Sequence, residues 1–191
     1  ADMAIGAVDG GSSTADDAVE AYYGFQIDLN TSFTGEDSLD ISIDAGNADD
    51  GNLDELDLND AGDGLAVDGI SYTFPLGGAT MIIGDNTDGS ALFSTACVYG
   101  GPSDTLSSCG ALNTGFDGLG TAVGVSYDFD NGFTAAVGYA AGETDMATGL
   151  MSKETLDAYG VNASYTGDNF GLSVTYGLVE TRSADEDTFT A

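Results

Sequence analysis

Strict alternation of apolar and polar residues is the feature that most constrains this chain. In AYYGFQIDLNTSF (21–33), the odd positions from Tyr23 onward are mostly apolar, whereas the even positions from Gln26 to Ser32 are polar. Successive side chains of a β-strand point to opposite faces, so this period of two predicts a strand with one apolar and one polar face. LDISIDA (39–45) repeats the pattern after the turn TGED, and the two stretches together predict a β-hairpin.

Three further hairpins follow the first one. They pair strand 65–74 with 79–84 through PLGG, strand 119–129 with 133–141 through DNG, and strand 156–166 with 170–179 through GDN. Long connections separate the hairpins, at 47–64, 85–118 and 142–155. Short turns that alternate with long loops are typical of transmembrane barrels, whose tilted strands need about 9–11 residues. The sequence therefore predicts an all-β fold, an antiparallel up-and-down β-barrel of the outer-membrane type with eight visible strands.

The chain divides into three parts on this reading: an N-terminal segment (1–20), the barrel hairpins (21–180), and the start of an acidic loop or tail (181–191). No closing strand follows the last hairpin, so we expect a part of a larger barrel. Strand 65–74 is less regular than the others because Ile70 and Tyr72 are out of phase with Leu65 and Val67. This phase change predicts either a β-bulge or a partly buried wall.

Charge and composition exclude several classes of function. The chain has 33 acidic residues against two basic ones, Lys153 and Arg182, for a net charge of -31. Nucleic acid is excluded as a partner because almost nothing is present to neutralise phosphates. Histidine is absent, which rules out histidine-dependent chemistry. Carboxylate pairs such as those of glycosidases would arise by chance among so many acids, and Trp is lacking as a sugar platform, so we expect no enzyme.

Polar positions of the predicted strands are the candidates for residues that line a water-filled lumen. They are Gln26, Asp28, Asn30, Asp40, Asp44, Asp68 and Asp128. The alternative for each is the ordinary hydrated face of a sheet.

The acidic loop 47–64 is a candidate calcium site, because calcium prefers several carboxylate and carbonyl oxygens. Its carboxylates are Asp49, Asp50, Asp54, Asp57, Asp60 and Asp63. An EF-hand register started at Asp57 fails because Ala61 occupies a ligand position, and the alternative is a solvated acidic loop. DNTDGS (85–90) is a weaker candidate whose alternative is an ordinary turn. We expect no required cofactor, and calcium is the one candidate ligand.

Two cysteines, Cys97 and Cys109, lie in the loop sequence CVYGGPSDTLSSC. For an exported protein in an oxidising compartment, this spacing predicts a disulfide that closes the loop.

Several segments resemble the barrel of cyanobacterial outer-membrane porins, relatives of the carbohydrate-selective porins. They are YYGFQIDLNTSFTGEDSLDISIDAGN (22–47), ISYTFPLGG (70–78), SYDFDNGFTAAVGY (126–139) and SKETLDAYGVNASYTGDNFGLSVTY (152–176). The resemblance implies a homotrimeric pore in outer-membrane lipid, normally preceded by a surface-layer-homology domain that this chain does not include.

We therefore expect an outer-membrane porin, a passive and cation-preferring diffusion channel for small hydrophilic solutes and inorganic ions. The alternative is a secreted acidic β protein whose copies form a calcium-bridged surface layer or extracellular filament.

Overall fold

A computed structural model describes residues 1–7, 19–47, 64–96, 120–142, 156–183 and 186–190. Beyond residue 180 it describes only the course of the backbone. No helix within these ranges is long and apolar enough to cross a membrane.

Ten β-strands form one sheet in these ranges. They are β1 (Asp2–Gly6), β2 (Glu20–Thr31), β3 (Ser38–Gly46), β4 (Ala66–Leu76), β5 (Ala79–Asp85), β6 (Thr121–Asp128), β7 (Phe133–Ala141), β8 (Asp157–Thr166), β9 (Gly171–Ser183) and β10 (Glu186–Thr190). Their order in the sheet is their order along the chain, and every described neighbouring pair is antiparallel. The predicted all-β, antiparallel, up-and-down fold is therefore confirmed. Over the described residues the sheet is open, with β1 and β10 at its edges.

All eight predicted strands are present as β2 to β9, and seven of the eight start within one residue of the predicted position. The two edge strands lie where the sequence predicts none, β1 in the N-terminal segment and β10 in the expected acidic tail. Each has only five residues, near the lower limit of the roughly four to eight over which alternation indicates a strand. β9 also continues past the predicted end at 179, so Arg182 lies in a strand rather than in a loop.

A β-bulge accounts for the irregular phase of β4. Ser42 of β3 pairs with Gly69, but the next residue, Ile43, pairs with Val67. Asp68 is therefore the extra residue of the bulge. The insertion restores the alternation, because Val67 and Ile70 now fall on the same face of the sheet although three positions separate them. Of the two alternatives for this strand, the bulge is the correct one.

The hairpin turns use residues that tolerate positive φ. Gly77 and Gly78 have φ of 59° and 89° between β4 and β5, and Asp130 and Gly132 have φ of 57° and 87° between β6 and β7. Such angles are strained for most L-residues but open to glycine, and tight hairpins require them. The PLGG and DNG sequences thus fix the two turns, and with them the register of the strands that they join.

Candidate functional site

The sheet has one apolar face and one polar face, and each is continuous from strand to strand. Cross-strand partners share a face, so the register can be followed from Ile27 to Ile43 on β2–β3 and from Val125 to Val161 across β6–β8. On the apolar face the large side chains are exposed, for example Met3 at 71%, Leu29 at 51% and Val174 at 62%. All the described large hydrophobic residues that are exposed within strands lie on this face.

The predicted lumen residues lie together on the polar face, with one exception. The six that share this face by register are Gln26, Asp28, Asn30, Asp40, Asp44 and Asp128. Asp68 is the bulge residue, which the register between β3 and β4 skips, so the alternation does not assign it to the polar face. Asp44 is buried at 9% exposure, whereas Gln26, Asp28, Asn30 and Asp128 are exposed.

Amide and hydroxyl groups hold the carboxylates of the β2–β3 hairpin in position. Gln26 Nε2 donates to Asp28 Oδ1 at 2.5 Å, and Ser42 Oγ donates to the same oxygen at 2.9 Å. One step along the hairpin, Asn30 Nδ2 and Ser38 Oγ donate to the two oxygens of Asp40. These donors are all neutral, so neither carboxylate loses its charge to them. The result is a ladder of fixed negative charges on the polar face of β2 and β3.

The turn between β2 and β3 is organised around Asp37, which is 8% exposed. Its Oδ1 accepts hydrogen bonds from Ser32 Oγ at 2.6 Å and from Thr34 N at 2.8 Å, and its Oδ2 accepts one from Tyr72 OH at 2.5 Å. The Ser32 hydroxyl first, and then the Tyr72 hydroxyl, hold the pKa of the Asp37 carboxyl well below its usual range. Asp37 therefore ties the turn to β4, and it does so in its ionised form.

Residues 86–96, here called the covering segment, fold back over the polar face of the sheet after β5. Asn86 Nδ2 donates to the carbonyl of Asp68 on β4, and Thr87 N donates to Gly120 O at 3.3 Å, just before β6. Further along, Ala96 N donates to Ser173 Oγ on β9 at 3.0 Å. The segment thus crosses from the β4–β5 side of the sheet to β9.

A row of glycines gives the covering segment its space. Gly124, Gly138, Gly160 and Gly177 are direct cross-strand partners on β6, β7, β8 and β9, so they form a straight line across four strands of the polar face. A Cβ at Gly138 would overlap the carbonyl oxygen of Gly89 and lie 3.3 Å from Phe93 Cε1. A side chain at this position of β7 would therefore push the segment off the sheet.

Asn162 fixes the far end of the covering segment. Its Oδ1 accepts from Ser94 N at 3.0 Å, and its Nδ2 donates to Ser94 O at 3.1 Å and to Thr175 Oγ1 at 2.9 Å. Because one bond needs an acceptor and the others need a donor, the amide can take only this orientation. Asn162 is 4% exposed. Its amide bonds both the N–H and the carbonyl of Ser94, as the backbone of a neighbouring strand would.

The proposed calcium ligands and the two cysteines lie outside the described residues. The weaker candidate, 85–90, is described, and there the Ser90 hydroxyl donates its one hydrogen to the Asp88 carboxylate, whose two oxygens both lie 2.7 Å from Ser90 Oγ. Within the described ranges, no group of three or more acidic or cysteine side chains is placed to hold a metal ion.

The chain matches no family model, no curated protein and no solved structure.

Sequence reasoning identified the polar face but missed the covering segment. The glycine row was the sequence feature that could have indicated the covering segment. Counting residues outward from the hairpin turns places these glycines opposite one another in four predicted strands. Some of the small residues on the polar face are packed against other parts of the chain. Ala122 and Ala136 are 1% and 5% exposed.

Proposed function

We propose that this chain forms the wall of an outer-membrane diffusion channel, a porin for small hydrophilic solutes and inorganic ions with a preference for cations. The exposed apolar face carries this proposal. In water, a continuous sheet of exposed Leu, Val, Ile and aromatic side chains would be a strong liability, whereas in a bilayer it is the surface that contacts lipid.

Aromatic side chains at the short-turn end of the sheet support the same proposal. Phe33, Phe129, Phe133 and Phe170 are all more than half exposed, and Phe133 packs against Tyr165 with ring centroids 4.6 Å apart and the ring planes tilted by 46°. Aromatic residues are enriched at the interface between lipid and water, where the rings contact both the headgroups and the acyl chains. This girdle would mark one membrane surface.

Cation preference follows from the charges on the polar face. Asp28, Asp40 and Asp128 lie there, and the hydrogen-bond donors to Asp28 and Asp40 are neutral. A wall of low dielectric constant limits the screening of such charges, and their potentials add. Resemblance to cyanobacterial porins, trimer formation and location in the outer membrane are parts of the proposal.

Extraction separates this proposal from the secreted alternative. A chain embedded in lipid needs detergent for release and stays in the membrane when calcium is chelated. A calcium-bridged surface layer or filament would dissolve in chelator without detergent. Release by chelator alone would therefore contradict the porin assignment.

Reversal potentials test the channel directly. The chain, reconstituted in a planar bilayer of neutral phosphatidylcholine under a KCl gradient, should give a potential of the sign expected for potassium. The preference for potassium over chloride should be strongest at low salt, because the Debye length is about 30 Å at 0.01 M. A chloride preference would contradict the charge argument.

A further inference from the structure

The two halves of the polar face differ in how much of their surface is free. On β7 and β8, Ala136, Asn162 and Ser164 are 5%, 4% and 7% exposed. On β2, the side chains of Gln26, Asp28 and Asn30 are exposed. The hydrogen bonds of the covering segment described above go to β4, β8, β9 and the residue that precedes β6.

We infer that ions passing through the channel move along the polar face of β2 and β3, here called the β2–β3 wall. The covering segment blocks their access to the polar face of β6 to β9, here called the β6–β9 wall. This inference rests on the proposed function, since it needs a channel. The glycine row leaves room for the backbone of the segment and for little else, because Gly89 lies directly against Gly138. The covering segment thus occupies the space above β6 to β9 and shifts the path of the ions toward β2 and β3.

The two walls differ in charge, and this difference determines the selectivity for ions. The covered wall carries glycine, alanine, serine, threonine and asparagine at its central positions, with no charge among them. The β2–β3 wall carries Asp28, which is exposed, and Asp40, which is half-buried, each held by two neutral donors, while Asp44 on the same wall is buried. Ions are therefore brought next to the charged wall and kept away from the neutral one, so Asp28 and Asp40 become the residues that determine cation preference.

Asp128 provides the comparison because it lies on the same face but on β6. If ions filled the whole width of the sheet, the three carboxylates would contribute similarly. If ions follow the β2–β3 wall, Asp28 and Asp40 act at short range and Asp128 at long range. A carboxylate about 7 Å from a monovalent cation in water raises the local cation concentration about threefold, and the factor falls with distance.

The experiment uses the full chain in neutral phosphatidylcholine bilayers under a KCl gradient at low salt. We expect Asp28→Asn and Asp40→Asn each to lower the ratio of potassium to chloride permeability by about sevenfold, because each substitution lowers the local potassium concentration and raises the local chloride concentration by a factor of nearly three. Asn retains the size of the side chain. At position 28 its oxygen can accept both hydrogen bonds, since both go to Oδ1, whereas at position 40 it can accept only one of the two, since they go to different oxygens. Asp128→Asn should have a smaller effect than either, and Asp130→Asn, in the exposed β6–β7 turn, is the control that should leave the ratio unchanged.

The outcomes distinguish the two proposals. An effect of Asp128→Asn as large as that of Asp28→Asn, or no effect of Asp28→Asn and Asp40→Asn, would overturn the one-sided path while leaving the channel intact. Absence of conductance from the unmodified chain would overturn the proposed function, and the path with it.

Discussion

Replacing Asn162 by alanine should release the covering segment from the sheet. The substitution removes both hydrogen bonds to the backbone of Ser94, at 3.0 and 3.1 Å, in a place where Asn162 is only 4% exposed. A typical hydrogen bond contributes about 1 kcal/mol net, so the docked state should lose about 2 kcal/mol. That corresponds to about a 30-fold fall in the ratio of docked to undocked segment.

Hydrogen exchange at the amide of Ala96 measures this release. Ala96 N donates to Ser173 Oγ at 3.0 Å, a bond that the Asn162→Ala substitution leaves in place. If the segment docks as a unit, protection of this amide should nevertheless fall by up to about 30-fold. Ser173→Ala, which removes a single bond, should lower protection of the Ser94 amide by only about fivefold.

Ser164→Ala is the matched control for damage to β8 itself. Ser164 is buried on the same strand and face as Asn162, but it hydrogen-bonds Thr134 Oγ1 at 2.6 Å on β7. Protection of Ala96 should therefore stay at the wild-type level in this variant. Unchanged protection in Asn162→Ala, or an equal loss in Ser164→Ala, would refute the assignment of Asn162 as the residue that holds the segment.

Three further predictions follow from the turn and the loops. Because the pKa of Asp37 is depressed, the contribution of its carboxylate to stability is present above the ordinary carboxyl pKa of about 3.9 and is lost as the pH falls below that value. Asp37→Asn should therefore weaken the dependence of the unfolding temperature on pH between about pH 5 and pH 2, whereas Asp130→Asn should not. Cys97 and Cys109 should resist alkylation until a reductant is added, and labelling of both without reductant would argue against the disulfide. Millimolar calcium should raise the unfolding temperature through the acidic loop 47–64 by more than sodium of equal ionic strength, and equal shifts would reduce the effect to screening.

The fold of this chain was largely predictable because its strands are amphipathic. A period of two identifies each long strand locally, and short turns such as PLGG and DNG set the pairing of neighbours. The bulge at Asp68 was visible for the same reason, since it shifts the phase of the alternation between Val67 and Ile70. The edge strands were missed because their five residues are near the lower limit over which alternation indicates a strand.

The covering segment could not be predicted in this way. Its contacts join residues far apart in sequence, such as Ser94 and Asn162, which are 68 positions apart. Nothing local in DNTDGSALFSTA (85–96) shows which strand it will contact, and the sequence alone favoured an ordinary turn at its start. Six of the seven polar-face candidates lie on the predicted face because alternation decides the face of a residue, and Asp68 is the exception because it lies in the bulge. Alternation does not decide what lies above that face.

The sequential order of the strands has a consequence for how such a chain can change. Every described strand pairs only with its neighbours along the chain, so the duplication or deletion of a whole hairpin leaves all other pairings and both faces intact. Each such event widens or narrows the sheet by two strands, or about 10 Å at the usual spacing between strands. Descendants of this chain can therefore differ in the width of the sheet by whole hairpins while every remaining strand keeps its sequence, its register and its apolar side.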